Sequence, residues 1–208
     1  MPLDLWLAFV AASVVVLVIP GPTILTVISY SVARGPRIGV PLVAAVALGD
    51  STSLAVSLLG LGALLEASAA WFNVVKWAGG SYLLYLGIKL LRAGASPADL
   101  APRDAGGSSW TLFLNTYVVT ALNPKGIVFF AAFLPQFVRP GENVNQQLWV
   151  LAATFVALAI VNASTYTVFA SVARRLLASP AAQRRFNLAG GSLLSAAGVW
   201  ALMARRPG

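Results

Sequence analysis

Long apolar runs alternate with short charged ones along the chain. No charged residue occurs between Asp4 and Arg34, between Arg37 and Asp50, or between Asp50 and Glu66. The stretches Lys76 to Lys89, Asp104 to Lys125, Lys125 to Arg139, Glu142 to Arg174 and Arg185 to Arg205 are also uncharged between their ends. A helix needs roughly 20 mostly apolar residues to cross a bilayer. The pattern predicts six such helices, over residues 5–32, 38–65, 70–92, 109–138, 146–173 and 187–204. Lys76, Lys89 and Arg92 lie near the ends of the third, where long basic side chains snorkel to the interface. Asp4 and the absence of Lys or Arg before the first run argue against a cleaved signal peptide. The first span is expected to stay in the mature protein.

Residues 93–108 are rich in Gly, Ser, Pro and Ala and read as a polar, cytoplasmic linker. They divide the chain into a first three-helix unit, 1–92, and a second, 109–208. Ser108 or Ser109 is placed to cap the fourth helix. Leaving out Lys125, which lies inside a span, nine basic residues fall in the odd-numbered loops and four on the other side. The positive-inside rule then puts the odd loops in the cytoplasm and both termini outside, although the Arg205–Arg206 tail runs against this count.

Composition narrows the picture. Of 208 residues, 59% are hydrophobic and 10% charged, which excludes an ordinary soluble domain and a disordered chain. There is no Cys and no His, which removes disulfides, thiolate metal sites and the commonest general base. The formal charge of +8 reports loop orientation and lipid headgroups rather than nucleic acid. Trp71, Trp77, Trp110, Trp149 and Trp200 fall near the proposed span ends, as an aromatic belt requires. Small residues from Gly39 to Gly49 and from Gly190 to Gly198 suit close helix packing.

Against this apolar background a few positions stand out. Pro20-Gly21-Pro22-Thr23 interrupts the first helix, where prolines and glycine prevent regular winding. Asn123-Pro124-Lys125 interrupts the fourth, with Asn suited to an N-cap and Pro to the first helical position. Asp50 is the one carboxylate well inside a span, and Lys125 its counterpart of opposite sign. Intramembrane charge costs about 2.5–3.5 kcal/mol on the insertion scale and marks function by default. The structural alternatives are a proline kink, a snorkelling Lys125, and an Asp50–Lys125 pair that only joins helices. Asn162, inside the fifth helix, suits either an interhelical hydrogen bond or substrate contact.

These positions correspond between the halves: Pro20-Gly21 with Asn123-Pro124, and Asp50 with Asn162. Three spans, a linker and three more spans have opposite orientations because three is odd. The reading is an all-α membrane protein of six transmembrane helices in two inverted three-helix repeats, with helices one and four broken around a midplane site. Half-helix N-termini and Lys125 would face a carboxylate, and Asp50 an ammonium, so the site suits a zwitterion. With nothing bound, Asp50 and Lys125 can pair. Protonation of Asp50 could instead couple the cycle.

The motifs resemble the LysE/RhtB amino-acid exporters. Pro20-Gly21-Pro22, Ala33-Arg34-Gly35 with Gly39, and Gly79-Gly80-Ser81-Tyr82-Leu83-Leu84-Tyr85-Leu86-Gly87 carry the likeness in the first half. Leu122-Asn123-Pro124-Lys125-Gly126 followed by Phe133-Leu134-Pro135-Gln136-Phe137-Val138 is the most specific match. The resemblance covers nearly the whole chain. It implies a multi-pass exporter of amino acids or close derivatives in a bacterial inner membrane, driven by the proton gradient. It implies functional positions at Pro20, Gly21, Pro22, Asp50, Asn123, Pro124 and Lys125. The chain departs from the pattern at Ala45, where many members have glycine, and at Thr23, where many have Asn or Asp.

Related branches fit less well. A thiol-disulfide carrier needs paired cysteines, nickel and cobalt exporters tend to carry a His-rich loop, and a divalent-metal carrier wants several intramembrane carboxylates. A membrane enzyme would need a Ser/His dyad, metal ligands or a carboxylate cluster. A passive channel and a non-transporting scaffold subunit remain as alternatives. The expected partners are an amino-acid substrate, protons and membrane lipids, with a homo-oligomer admitted and no nucleic acid, metal or cofactor. One buried carboxylate and a buried lysine favour a neutral substrate, because a dibasic one would want a second acid.

Overall fold

The computed structural model describes residues 1–67, 69–92, 107–139, 143–173 and 179–203. All regular structure among them is helical. The first predicted helix is two: α1 (Leu3–Val18) and α2 (Pro22–Arg34), bent by 54°. A 3₁₀ turn at Pro36–Ile38 leads into α3 (Gly39–Ala67), followed by α4 (Ala69–Arg92). The predicted fourth helix becomes α5 (Ser109–Ala121), the short α6 (Pro124–Val128), a π-helical turn (Phe129–Phe133) and a 3₁₀ turn (Leu134–Phe137). The chain continues into α7 (Val144–Val168) and α8 (Pro180–Met203). The proposed 93–108 linker lies outside the described residues except for Gly107 and Ser108.

By length and composition, Gly39–Leu59, Ser109–Phe137 and Val144–Val168 are able to cross a membrane. The bent α1–α2 pair adds a fourth span if it is one. The charge pattern locates the helices because a helix in hydrocarbon satisfies its backbone internally and needs no polar face.

The helix ends follow from local chemistry. Pro22 and Pro124 each stand at a first helical position, where a missing N–H costs nothing. Ser108 Oγ accepts from Thr111 N at 3.3 Å and Asn143 Oδ1 from Gln146 N at 3.2 Å, each an N-cap. Gly35 closes α2 at φ +75°, a conformation that favours glycine, with its N–H on Ser31 O at 2.9 Å.

Two packing features place the site. A phenylalanine-rich core forms where α1 meets the irregular turns after α6 and the side of α7. Phe9, Phe129, Phe133, Phe137 and Phe155 stack within it at centroid distances of 5.4–6.1 Å. On the other flank α4 and α8 approach backbone to backbone. A Cβ on Gly198 would lie 2.6 Å from Leu84 N, and one on Gly191 2.8 Å from Gly87 O. The third-span glycines of the family motif, Gly80 and Gly87, thus serve as packing surface for the last helix. Trp77, Trp110, Trp149 and Trp200 are exposed, and Trp200 also packs against Phe133 and Phe137.

Candidate functional site

A helix that stops inside a membrane leaves carbonyls that no water can satisfy, so side chains must reach them. At the end of α1 this accounting closes residue by residue. Ile19 N–H serves Val15 O at 3.3 Å. The Lys125 ammonium donates to Val16 O at 2.7 Å and Ile19 O at 2.8 Å. Asn162 Nδ2 donates to Leu17 O at 3.1 Å, and Tyr166 Oη to Val18 O at 2.9 Å. Four consecutive carbonyls are therefore held by α6 and α7. A cation suits this place because the C-terminal end of a helix carries partial negative charge.

The second break is built differently. Asn123 Oδ1 caps α6 by accepting from Lys125 N at 3.1 Å. Its Nδ2 donates to Thr23 Oγ1 at 3.1 Å, which ties the start of α6 to the start of α2. Gly21 has an extended backbone, at φ −118° and ψ −172°, that any residue adopts. A Cβ there would meet Lys125 Nζ at 3.4 Å and Cε at 3.5 Å, ordinary contact distances that place Gly21 directly beside the ammonium.

Gly21, Thr23, Asp50, Asn123, Lys125 and Asn162 all line one cavity, with apolar walls from Val46, Phe155 and Ala159. The fold thus brings together six of the nine residues singled out from the sequence. Pro20, Pro22 and Pro124 do not line it; the latter two start the helices that do. Asp50 is 7% exposed. Both charges reach the cavity, but among the described residues no ion pair joins Asp50 to Lys125, which sits on the α1 carbonyls instead. An ammonium has three protons. Two are used on carbonyls, which leaves one N–H for the cavity.

The cavity is partly open and has a volume of about 30 Å³. One water needs at least ~10–15 Å³ on such a measure, so the space suits about two waters and not an amino acid. Helices must part before a larger molecule occupies it.

Sequence reading missed Tyr166. The available signal was its position four residues after Asn162, hence on the same face of one helix. Tyr166→Phe removes one donor from the Val18 carbonyl and little else. We expect a loss of about 1 kcal/mol, or ~2–4 °C in the melting temperature of the detergent-solubilised protein. An unchanged melting temperature would show that the bond contributes nothing.

An apolar helical bundle whose broken helices meet at a small, charge-lined cavity defines a membrane transport protein. The chain matches the family model described as LysE type translocator over residues 14–205. It is 32% identical to the homoserine/homoserine lactone efflux protein of Salmonella typhimurium over 208 residues, covering 99% of each chain. It is 31% identical to the leucine efflux protein of the same organism over 153 residues, 73% of this chain and 72% of that one. An uncharacterized membrane protein of Vibrio cholerae is 30% identical over 204 residues, covering 96% and 97%. No solved structure matches. The chain belongs to the LysE type translocator family, whose members are transporters and not enzymes.

Proposed function

We propose that the protein is a secondary exporter of neutral amino acids or close derivatives, driven by the proton gradient across a bacterial inner membrane. The observation that carries this reading is the presence of opposite charges, not joined as an ion pair, on one small cavity between two helix breaks. The free N–H of Lys125 and the first amides of α2 suit a carboxylate, and Asp50 suits the ammonium. Homoserine and leucine, named for two relatives, are neutral zwitterions of this kind. The helices are taken as six spans in two inverted repeats that rock about the cavity, with odd loops in the cytoplasm and termini outside. The small volume of the cavity, about 30 Å³, favours a carrier over a wide channel.

Proteoliposomes test this. With an imposed pH gradient, L-homoserine or L-leucine is expected to accumulate against its concentration and to leak back when a protonophore is added. L-lysine is not expected to accumulate. Downhill movement alone would make the protein a channel. No movement of any amino acid would end the exporter reading.

A further inference from the structure

The two halves of the broken helices are lined by unlike chemistry. On one side of the cavity, α1 and the turns after α6 bury Phe9, Phe129, Phe133 and Phe137 against one another, with Ser13 the buried hydroxyl of α1. On the other side, α2 meets α5 along a polar seam. Thr23, Thr26 and Tyr30 recur at helical spacing on α2 and are all buried. Thr116 and Thr120 on α5 and Asn123, the cap of α6, are buried as well, with Thr120 packed against Gly49 of α3.

Two hydrogen bonds set the register. Asn123 Nδ2 reaches Thr23 Oγ1 at the cavity, and Asn115 Nδ2 reaches Tyr30 Oη at 3.4 Å further along. The helices therefore run antiparallel, and about 10 Å separates the two bonds at 1.5 Å per residue. Past Tyr30 the seam is stopped by a small apolar cluster of Tyr30, Ile38, Leu42 and Leu112, separate from the phenylalanine core. Beyond it lies the end of the bundle where Arg34 Nη2 donates to Gly107 O at 2.6 Å.

Three observations describe how this seam is held. Thr116 is 0% exposed and its hydroxyl has no hydrogen-bond partner among the described residues, as is also true of Ser13 in the phenylalanine half. A buried donor left so costs about 1–3 kcal/mol, which an apolar residue of the same shape would avoid. Thr120 turns its hydroxyl back onto Thr116 O at 2.8 Å, a bond that a side-chain rotation exchanges for another. Finally, α5 is keyed to α3, because a Cβ on Gly49 would lie 2.7 Å from Thr120 Cβ and 3.0 Å from Tyr117 O. Any parting of the bundle on this side therefore carries α5 together with α3.

We propose that the α2–α5 seam is the gate through which the zwitterion reaches the cavity from the Arg34 side, with the Tyr30–Asn115 hydrogen bond and its apolar cluster as the latch. The proposal rests on the exporter reading. An amino acid crossing the seam exchanges water for threonine hydroxyls that rotate to meet it. Crossing the phenylalanine half would strip its charges with nothing in return.

The chain contains no cysteine, so an introduced thiol is unique. Thr116→Cys is nearly isosteric and places that thiol in the middle of the seam. In vesicles of each orientation, a charged, membrane-impermeant thiol reagent is expected to label it from one side only. That side should match the one from which the exposed Arg37→Cys labels. Adding Tyr30→Phe should speed labelling of Thr116→Cys at least threefold by releasing the latch, and saturating L-homoserine should change its rate. Thr26→Cys, on the facing helix, gives a second reporter if the first variant folds poorly. Labelling from the opposite side, no labelling of either thiol, or a rate indifferent to Tyr30→Phe overturns the gate. Transport by the unmodified chain is scored separately. An active exporter with inert thiols refutes the gate alone, and labelled thiols in a chain that moves no amino acid refute the exporter reading.

Discussion

Lys125→Ala is expected to lower export at least ~100-fold, equivalent to about 2.7 kcal/mol of barrier, with normal abundance in the membrane. The side chain has two tasks that alanine cannot share. It satisfies the Val16 and Ile19 carbonyls where α1 stops, and it presents its remaining proton to the cavity. Hydrogen bonds to a charged group contribute about 1.5–3 kcal/mol each, so losing two also loosens the end of α1. Lys125→Met separates the effects, since it keeps the apolar stem and removes only the ammonium. Both variants should be inactive, while Lys125→Met should elute as a sharper, more stable species from detergent gel filtration. Lys125→Arg is expected to fail as well. A planar guanidinium with a fixed fork of donors does not reproduce the two bonds of the compact ammonium to the Val16 and Ile19 carbonyls. Wild-type export by Lys125→Met would remove the charge from the mechanism.

Asp50→Asn should be as damaging. It keeps the shape of a side chain that is 7% exposed and removes the one negative charge on the cavity wall. With Asp50 as the partner of the substrate ammonium, both concentrative export and substrate exchange are expected to fall at least ~100-fold, again about 2.7 kcal/mol. Counterflow is the informative measurement. If Asp50→Asn still exchanges labelled L-homoserine across the membrane at the wild-type rate but no longer concentrates it, the carboxylate carries the proton and the ammonium is held elsewhere. Asp50→Glu tests position: Gly49 holds α3 against α5 at this level, so a longer side chain cannot retreat and should also be impaired.

The two breaks were legible for different reasons. Pro22 and Pro124 announce helix starts because a ring nitrogen has no proton to donate, and Asn123 announces a cap because its short amide reaches back to the backbone. Those are properties of a few adjacent residues. The π and 3₁₀ turns from Phe129 to Phe137 were not legible. Their shape follows from fitting Phe9, Phe129, Phe133 and Phe137 around one another, and packing of side chains distant in sequence leaves no local pattern. The destination of Lys125 was also hidden. Opposite charges in an apolar chain suggest a pair, yet the carbonyls freed at the end of α1 compete for the same ammonium and hold it.

The sequence by itself determined the class of environment, the positions of the helices, the two interruptions and the short roster of residues with chemistry to offer. It could do so because hydrocarbon leaves no backbone group unsatisfied and admits charge only where a partner or a cavity receives it. Only the tertiary structure decided which partner each polar group found. Lys125, Asn162 and Tyr166 meet consecutive carbonyls of α1 from positions more than 100 residues away. The same arrangement leaves the Asp50 carboxylate on the cavity wall without an ion pair among the described residues. Contacts of that range depend on how the helices cross, and the crossing is set by shape: glycines where backbones touch, phenylalanines where they do not.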